Sequence, residues 1–249
     1  MSGRPHGGDQ PLVVSLTSYP PRFEALALTI KALMRQTLKP DALVLWIDRE
    51  SVRTLPSSVR TLERHGLSIL PCDDVGPFSK IVHTLEAYPE ATAVTADDDC
   101  YYPPRWLEGL VAASAGAPGR IVCYSARRML SDGSGGLAPY GEWPLHRGGE
   151  SDMLLPRGTA GVLYPPGSLH PDVMDLDAYR RFSPRADDLW LKWMSARAGT
   201  RVLVAPDAPD RWSWPGTQRQ TLANVNVTHG GNDRQIRNLV EAYGLPFPL

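Results

Sequence analysis

Three adjacent carboxylates, Asp97, Asp98 and Asp99, stand directly after the apolar run 92–96. Side by side they repel one another, so they call for solvent or a cation. In an extended segment residues two apart point to the same side, which lets Asp97 and Asp99 reach one divalent ion while Asp98 turns inward. Hard oxygen ligands suit Mg2+ or Mn2+, which commonly fill their remaining positions with water and phosphate oxygens, and a nucleoside diphosphate would complete such a shell. The bland alternative is a solvated acidic turn. A second pair, Asp187-Asp188, follows Ser183-Pro184, a helix-start pattern in which the helix dipole favours carboxylates whether or not they do chemistry. Lys80 is one of four lysines beside 22 arginines. At the start of a helix its point charge could balance phosphates or pair with the acidic triplet; otherwise it is an ordinary surface lysine.

The elements that must position these groups read as an alternation. Apolar runs at 12–16, 43–47, 67–70 and 92–96 are short buried strands, each ended by a polar or Pro-rich cluster. Between them, helical spacing of Leu26, Ile30, Leu33 and Met34 predicts a helix over 24–37, and a second is expected over 80–88. A helix at 105–114 and a strand at 121–124 follow. This is a βαβ series on a mostly parallel sheet flanked by helices, and ligands bind at the carboxyl edge of such sheets. The strand ends deliver Thr17 to Arg22, Asp48, Asp73-Asp74 and Asp97 to Asp99 to that one rim. Beyond residue 125 the pattern loosens: a Gly-rich stretch 131–149 with Tyr140 and Trp143, a turn-rich strand over 159–164, helices near 172–179 and 187–198, a strand at 202–205 and a last helix over 233–243. The division expected is a flexible tail over 1–10 and a single domain over 11–249, with its halves meeting near residue 125.

Composition bounds the function. The 249 residues are 42% hydrophobic and 21% charged, the range of an ordinary globular domain. With 26 basic and 27 acidic side chains the formal net charge is −1, so no global field would hold nucleic acid. Any anion must be held locally. Three cysteines, an odd number without metal-ligand spacing, argue against a disulfide framework and suit a reducing, cytoplasmic setting. No apolar run approaches the roughly 18 residues of a spanning helix.

The opening Ser15-Leu16-Thr17-Ser18-Tyr19-Pro20-Pro21-Arg22, Phe78-Ser79-Lys80, the strand into Asp97-Asp98-Asp99, and Ala186-Asp187-Asp188-Leu189-Trp190 together resemble a bacterial glycosyltransferase of the GT-A type, family-2-like. The resemblance covers nearly all of residues 11–245. It implies a Rossmann-like GT-A fold with a nucleotide-sugar-binding half over 11–125 and an acceptor-binding, catalytic-base half over 126–249. The implied activity is metal-dependent transfer from a nucleoside diphosphate sugar, UDP-linked, to a glycan or lipid-linked acceptor, the latter bringing peripheral membrane contact. The alternatives are a sugar nucleotidyltransferase, although 17–22 lacks the Gly-rich basic loop usual there, and an inactive carbohydrate-binding module.

The same resemblance maps roles onto this chain. Asp97 and Asp99 match a DxD metal motif, with His229 completing the Mn2+ or Mg2+ shell, unless that histidine is structural. Thr17, Ser18, Tyr19 and Arg22 match the loop around nucleobase and ribose, Arg22 being able to face a phosphate; Tyr19-Pro20-Pro21 could equally be a rigid turn. Asp48 and Asp73 or Asp74 are implied contacts to ribose or base, or caps of following helices. Lys80 and Asp98 join the donor site. Of the acidic pair, Asp188 is implied as the base that takes the acceptor proton, with inversion, and Asp187 as runner-up. Gly161 could form a ligand wall or a tight strand contact, and Tyr140, Trp143, Trp212 and Trp214 could stack on sugar rings. Trp190 and Trp193 suit core or acceptor wall, and Arg234 and Arg237 could meet the diphosphate or coat their helix.

Overall fold

A computed structural model describes residues 4–210, 212–217 and 230–247. Its centre is an eight-stranded mixed sheet. In chain order the strands are β1 (Leu12–Thr17), β2 (Ala42–Asp48), β3 (Leu67–Cys72), β4 (Thr92–Thr95), β5 (Ile121–Cys123), β6 (Gly149–Ser151), β7 (Val162–Tyr164) and β8 (Val202–Val204). Across the sheet they run β6-β8-β5-β7-β4-β1-β2-β3. The block β4-β1-β2-β3 is parallel throughout, as is β8 with β5; β7 lies antiparallel between β4 and β5, and β6 antiparallel on β8. The sheet is therefore parallel where the nucleotide-binding half was expected and mixed beyond it.

Among the described residues seven α-helices accompany it: α1 (Phe23–Met34), α2 (Ser57–Arg60), α3 (Ser79–Ala87), α4 (Trp106–Ala115), α5 (Leu176–Phe182), α6 (Asp187–Arg197) and α7 (Gly231–Tyr243). Alternation along each strand feeds apolar packing on both faces of the sheet. In β1, Val14 and Leu16 pack with Leu26, Ile30, Trp106 and Leu110 of α1 and α4. The other face of the sheet carries Ile81, Val82, Trp190, Met194 and Leu239 of α3, α6 and α7, packed on Ile121, Val162 and Val202. Continuous apolar runs are what a sheet covered on both faces requires. All three cysteines are buried and none is in a disulfide.

Arg4–Pro5 pairs in parallel with Leu38–Lys39, and the ring of His6 lies 2.7 Å from Asp41. Around the Gly-rich stretch, Ala126–Arg128 pairs with both Leu145–His146 and Leu154–Pro156 in a small antiparallel sheet. No described helix is long and apolar enough to cross a membrane.

Candidate functional site

The carboxyl ends of β1 and β4 lie side by side in the sheet, so the loop 17–22 and the acidic triplet are neighbours. Asp98 and Asp99 sit in a turn and not in an extended strand. The expected alternation is therefore lost. Asp97 Oδ1 accepts a hydrogen bond of 2.9 Å from the Lys80 ammonium, whereas Arg22 contacts Asp99 Oδ2 and stands 3.6 Å from Asp98 Oδ1. Arg22 thus converges on Asp98 and Asp99, while Asp97, expected to share a metal with Asp99, is engaged by Lys80. Burial opposes the Arg22 charge, but Asp98 and Asp99 outweigh it and raise its pKa. Asp98 is pushed up to about 6, chiefly by burial, although Ser18 Oγ donates to its Oδ2 at 2.5 Å and Arg22 lies close.

The turn is fixed from both sides. The Asp97 N–H donates to the Tyr102 hydroxyl (2.7 Å), and Thr29 Oγ1 on α1 donates to the Asp98 carbonyl (2.8 Å). The Trp214 indole N–H donates to Thr29 Oγ1 (2.9 Å) and its backbone N–H to the Asp99 carbonyl (2.8 Å). Thr29 and Tyr102 carry no motif, and only the geometry reveals them.

Lys80 is a buried cation and not a surface lysine, 7% exposed. Its carbonyl accepts from Ser15 Oγ, which anchors the start of α3 to β1. Beyond Asp97, its ammonium lies 3.4 Å from Asp187 Oδ2, a buried oxygen that makes no hydrogen bond. Burial opposes the lysine charge, but Asp187, Asp97 and Asp188 outweigh it and hold its pKa well above normal. Lys80 thus joins the triplet at the end of β4 to the first turn of α6. There Asp188 accepts from the Gly158 N–H at 3.0 and 3.2 Å. Burial first, then the neighbouring Asp187 charge, lifts the Asp188 pKa far above the usual carboxylate range; Lys80 and the Gly158 N–H only partly offset this. A carboxyl so tuned suits proton abstraction near neutral pH. Gly158 was not visible from sequence, its use being a backbone N–H.

The other candidates fall into three groups. Thr17 Oγ1 donates to the Trp46 carbonyl (2.9 Å) inside the sheet, while Tyr19 is 42% exposed beside a tight turn over Pro20–Arg22. Asp48 Oδ1 accepts from the N–H groups of Glu50 and Ser51, the capping alternative; Asp74 Oδ1 accepts from Gly76 N–H, and Asp73 pairs with Arg49 at 3.1 Å on the surface. These three carboxylates line the rim but are not joined to the triplet. Arg234 and Arg237 are exposed on α7, and His229 lies outside the described residues.

Among the aromatics, Trp143 is fully buried, its indole N–H on the Ala138 carbonyl, so the expectation of a sugar platform fails there. Trp190 and Trp193 are likewise core. Trp212 is 52% exposed and stacks on Tyr101, centroids 4.3 Å apart. Gly161 makes the tight contact that was its alternative: with φ +94°, its missing Cβ would meet Trp106 Cζ2 at 2.4 Å. A cavity of about 180 Å3 lies beside Trp106, Tyr124 and Ala160 with no charged lining residue. It is smaller than the roughly 300–1,000 Å3 usual for ligand pockets.

The resemblance read from the sequence motifs implies a divalent cation at the triplet, and the Arg22 guanidinium sits against two of its carboxylates. Two hard carboxylates on one turn already enclose a positive charge, which fits Mg2+ or Mn2+ bound by Asp98 and Asp99, with the remaining positions left to phosphate and water. No three His, Cys, Asp or Glu side chains among the described residues could hold a metal by themselves.

No protein-family model matches the chain, and no curated protein matches it in sequence. Solved structures do. The Pyrobaculum calidifontis mannosyltransferase PcManGT, in complex with GDP-Man and Mn2+, is 14% identical at a TM-score of 0.57 over 97% of this chain and 66% of that one. S. aureus TarS 1-349, in complex with UDP, is 16% identical at 0.52, over 82% and 60%. A 4-diphosphocytidyl-2C-methyl-D-erythritol synthase is 12% identical at 0.49, over 89% and 99%. This chain spans two thirds or less of the two transferases' length. At these identities the likeness establishes the fold, the Rossmann-like α/β arrangement of the GT-A type that the sequence motifs implied.

Proposed function

We propose that the protein is a nucleotide-sugar-dependent glycosyltransferase that moves a sugar from a nucleoside diphosphate, UDP-linked, to a hydroxyl of a glycan or lipid-linked acceptor, with inversion. The observation that carries this reading is the chain of contacts from Asp97 through Lys80 to Asp187, with Asp188 beside it. It joins the acidic triplet, the buried Lys80 ammonium and a carboxyl of raised pKa at one rim, which supports this reading. The two transferases of the same fold hold UDP in one case and GDP-Man with Mn2+ in the other, which supports a donor of this class. We assign residues 11–125 to the donor and 126–249 to acceptor and base. A lipid-linked acceptor would bring the protein to the cytoplasmic face of a membrane.

In this reading Asp98 and Asp99 hold Mg2+ or Mn2+, which when bound neutralises charge on the departing diphosphate. Ser18, Tyr19 and Arg22 border the nucleotide, and Arg22 meets a phosphate. Asp188 takes the proton of the acceptor hydroxyl. That oxygen attacks the anomeric carbon as the bond to the β-phosphate oxygen breaks, and the nucleoside diphosphate leaves with the bonding electron pair. Asp187 lies beside Asp188, ion-paired to Lys80. Trp212, stacked on Tyr101, offers an exposed face to a sugar ring of the acceptor.

Incubation with UDP- and GDP-sugars, with Mn2+ or with chelator, tests the reading by its products. Glycosyl transfer releases nucleoside diphosphate in the Mn2+ arm. Pyrophosphate release would mean nucleotidyl transfer, and no release from any donor would mean a binding module.

A further inference from the structure

We propose that Arg22 is a built-in occupant of the cation position, displaced when a divalent ion binds, so that the protein takes up metal against competition from its own side chain. The inference rests on the proposed function only in identifying the ion. Two facts carry it. First, Arg22 contacts Asp99 and stands 3.6 Å from Asp98, so the space between the two carboxylates that a metal would use is filled by the guanidinium. Second, the arrangement is held: the Arg22 side chain is 13% exposed, it follows a tight turn closed by Arg22 N–H on the Tyr19 carbonyl (2.8 Å), and Ser18 Oγ ties Asp98 to the same loop.

A guanidinium and a metal cannot share one pair of carboxylate oxygens at bonding distance. A metal bound through Asp98 Oδ1 and Asp99 Oδ2, the oxygens Arg22 faces, therefore swings Arg22 out of the turn. It stays anchored to the loop 17–22, where the nearest anion in the loaded enzyme is the diphosphate, a group that an arginine fork matches well. Arg22 thus changes partner from carboxylate to phosphate as metal and nucleotide enter. Lys80 does not take part, being committed to Asp97 and Asp187 on the other side of the turn.

The test is Mn2+ affinity of the full chain without nucleotide, read from the electron paramagnetic resonance of unbound Mn2+ at mildly alkaline pH, where the carboxylates are ionised. Removing a charge-assisted competitor in R22Q should tighten Mn2+ binding about tenfold or more. R22K, a milder change that keeps a charge but loses the fork, should lie between R22Q and wild type. A damaged fold would weaken binding, so a gain separates the competitor role from a structural one. Should R22Q fail to fold, R22K against wild type carries the same comparison. Equal or weaker Mn2+ binding by the folded variants, or no Mn2+ binding by any of the proteins, overturns the proposal. Glycosyl transfer is not read here, so failure of the proposed activity would appear separately, in the product assay.

Discussion

Asp98 is the residue at which the site's electrostatic cost is most concentrated. Flanked by two carboxylates and largely enclosed, it binds its proton more tightly in the folded chain, with a pKa of about 6, than in the unfolded chain, where about 4 is normal. A raised carboxyl pKa means that the native state holds the extra proton between those values, so stability falls as pH rises through that window. Asn at this position does not titrate. Without metal, D98N should therefore gain melting temperature relative to wild type as pH rises from about 4 to about 6, and hold that gain above it; thermal denaturation in chelator across pH measures this, and a pH-independent difference would refute it. The triplet itself was plain in the sequence. Its pairing was not, because alternation presumes an extended backbone, and the chain turns at Asp98-Asp99 so that two loops can share Arg22.

Legibility at the scale of elements followed hydrophobic continuity. The four parallel strands and their helices begin and end within a few residues of the sequence reading, since strands buried on both faces leave unbroken apolar runs. The direction of β7 left no such mark. A strand of three residues after a tight turn reads the same whichever way it runs. The two- and three-residue strands at 126–128, 145–146 and 154–156 fall below any periodicity. Gly161 shows how a close approach hides in a sequence: glycine there gives room to the Trp106 indole, whose N–H donates to the Ala160 carbonyl at 2.8 Å. Gly161→Ala combines a φ of +94° with a clash against the ring. It should cost about 2 kcal/mol or more, from left-handed strain and overpacking together. Chemical denaturation would reveal this as a lower midpoint, and a wild-type midpoint would mean that the indole yields.

Across the whole molecule, Lys80 connects what the sequence presented as two halves. The composition is near neutral, and charges at the rim are matched locally, Arg22 on one side of the triplet and Lys80 on the other. Lys80→Met would leave Asp97 and Asp187 facing each other across a buried gap. Breaking such a buried arrangement by removing one partner costs about 3 kcal/mol or more, so K80M should lose that much stability, and a double variant K80M/D187N should recover part of it. Equal losses in single and double variants would show that Lys80 and Asp187 are not coupled. The link also explains why the acidic pair was hard to judge from sequence: carboxylates in a first helical turn are ordinary, and what distinguishes Asp188 is its enclosure beside Lys80, Asp187 and the Gly158 N–H, contributed by three distant stretches of chain.

The most direct measurement is the rate of nucleoside diphosphate release from a nucleotide sugar with Mn2+ and acceptor, wild type against D188N, as a function of pH. A general base contributes about 10²–10⁴-fold. D188N should therefore lose activity in that range while still binding the nucleotide, and the acid limb of wild-type kcat/KM should lie above the usual carboxylate range, as the raised Asp188 pKa requires. Turnover by D188N at the wild-type rate, with an unchanged acid limb, would contradict the assignment of this rim as the site of glycosyl transfer.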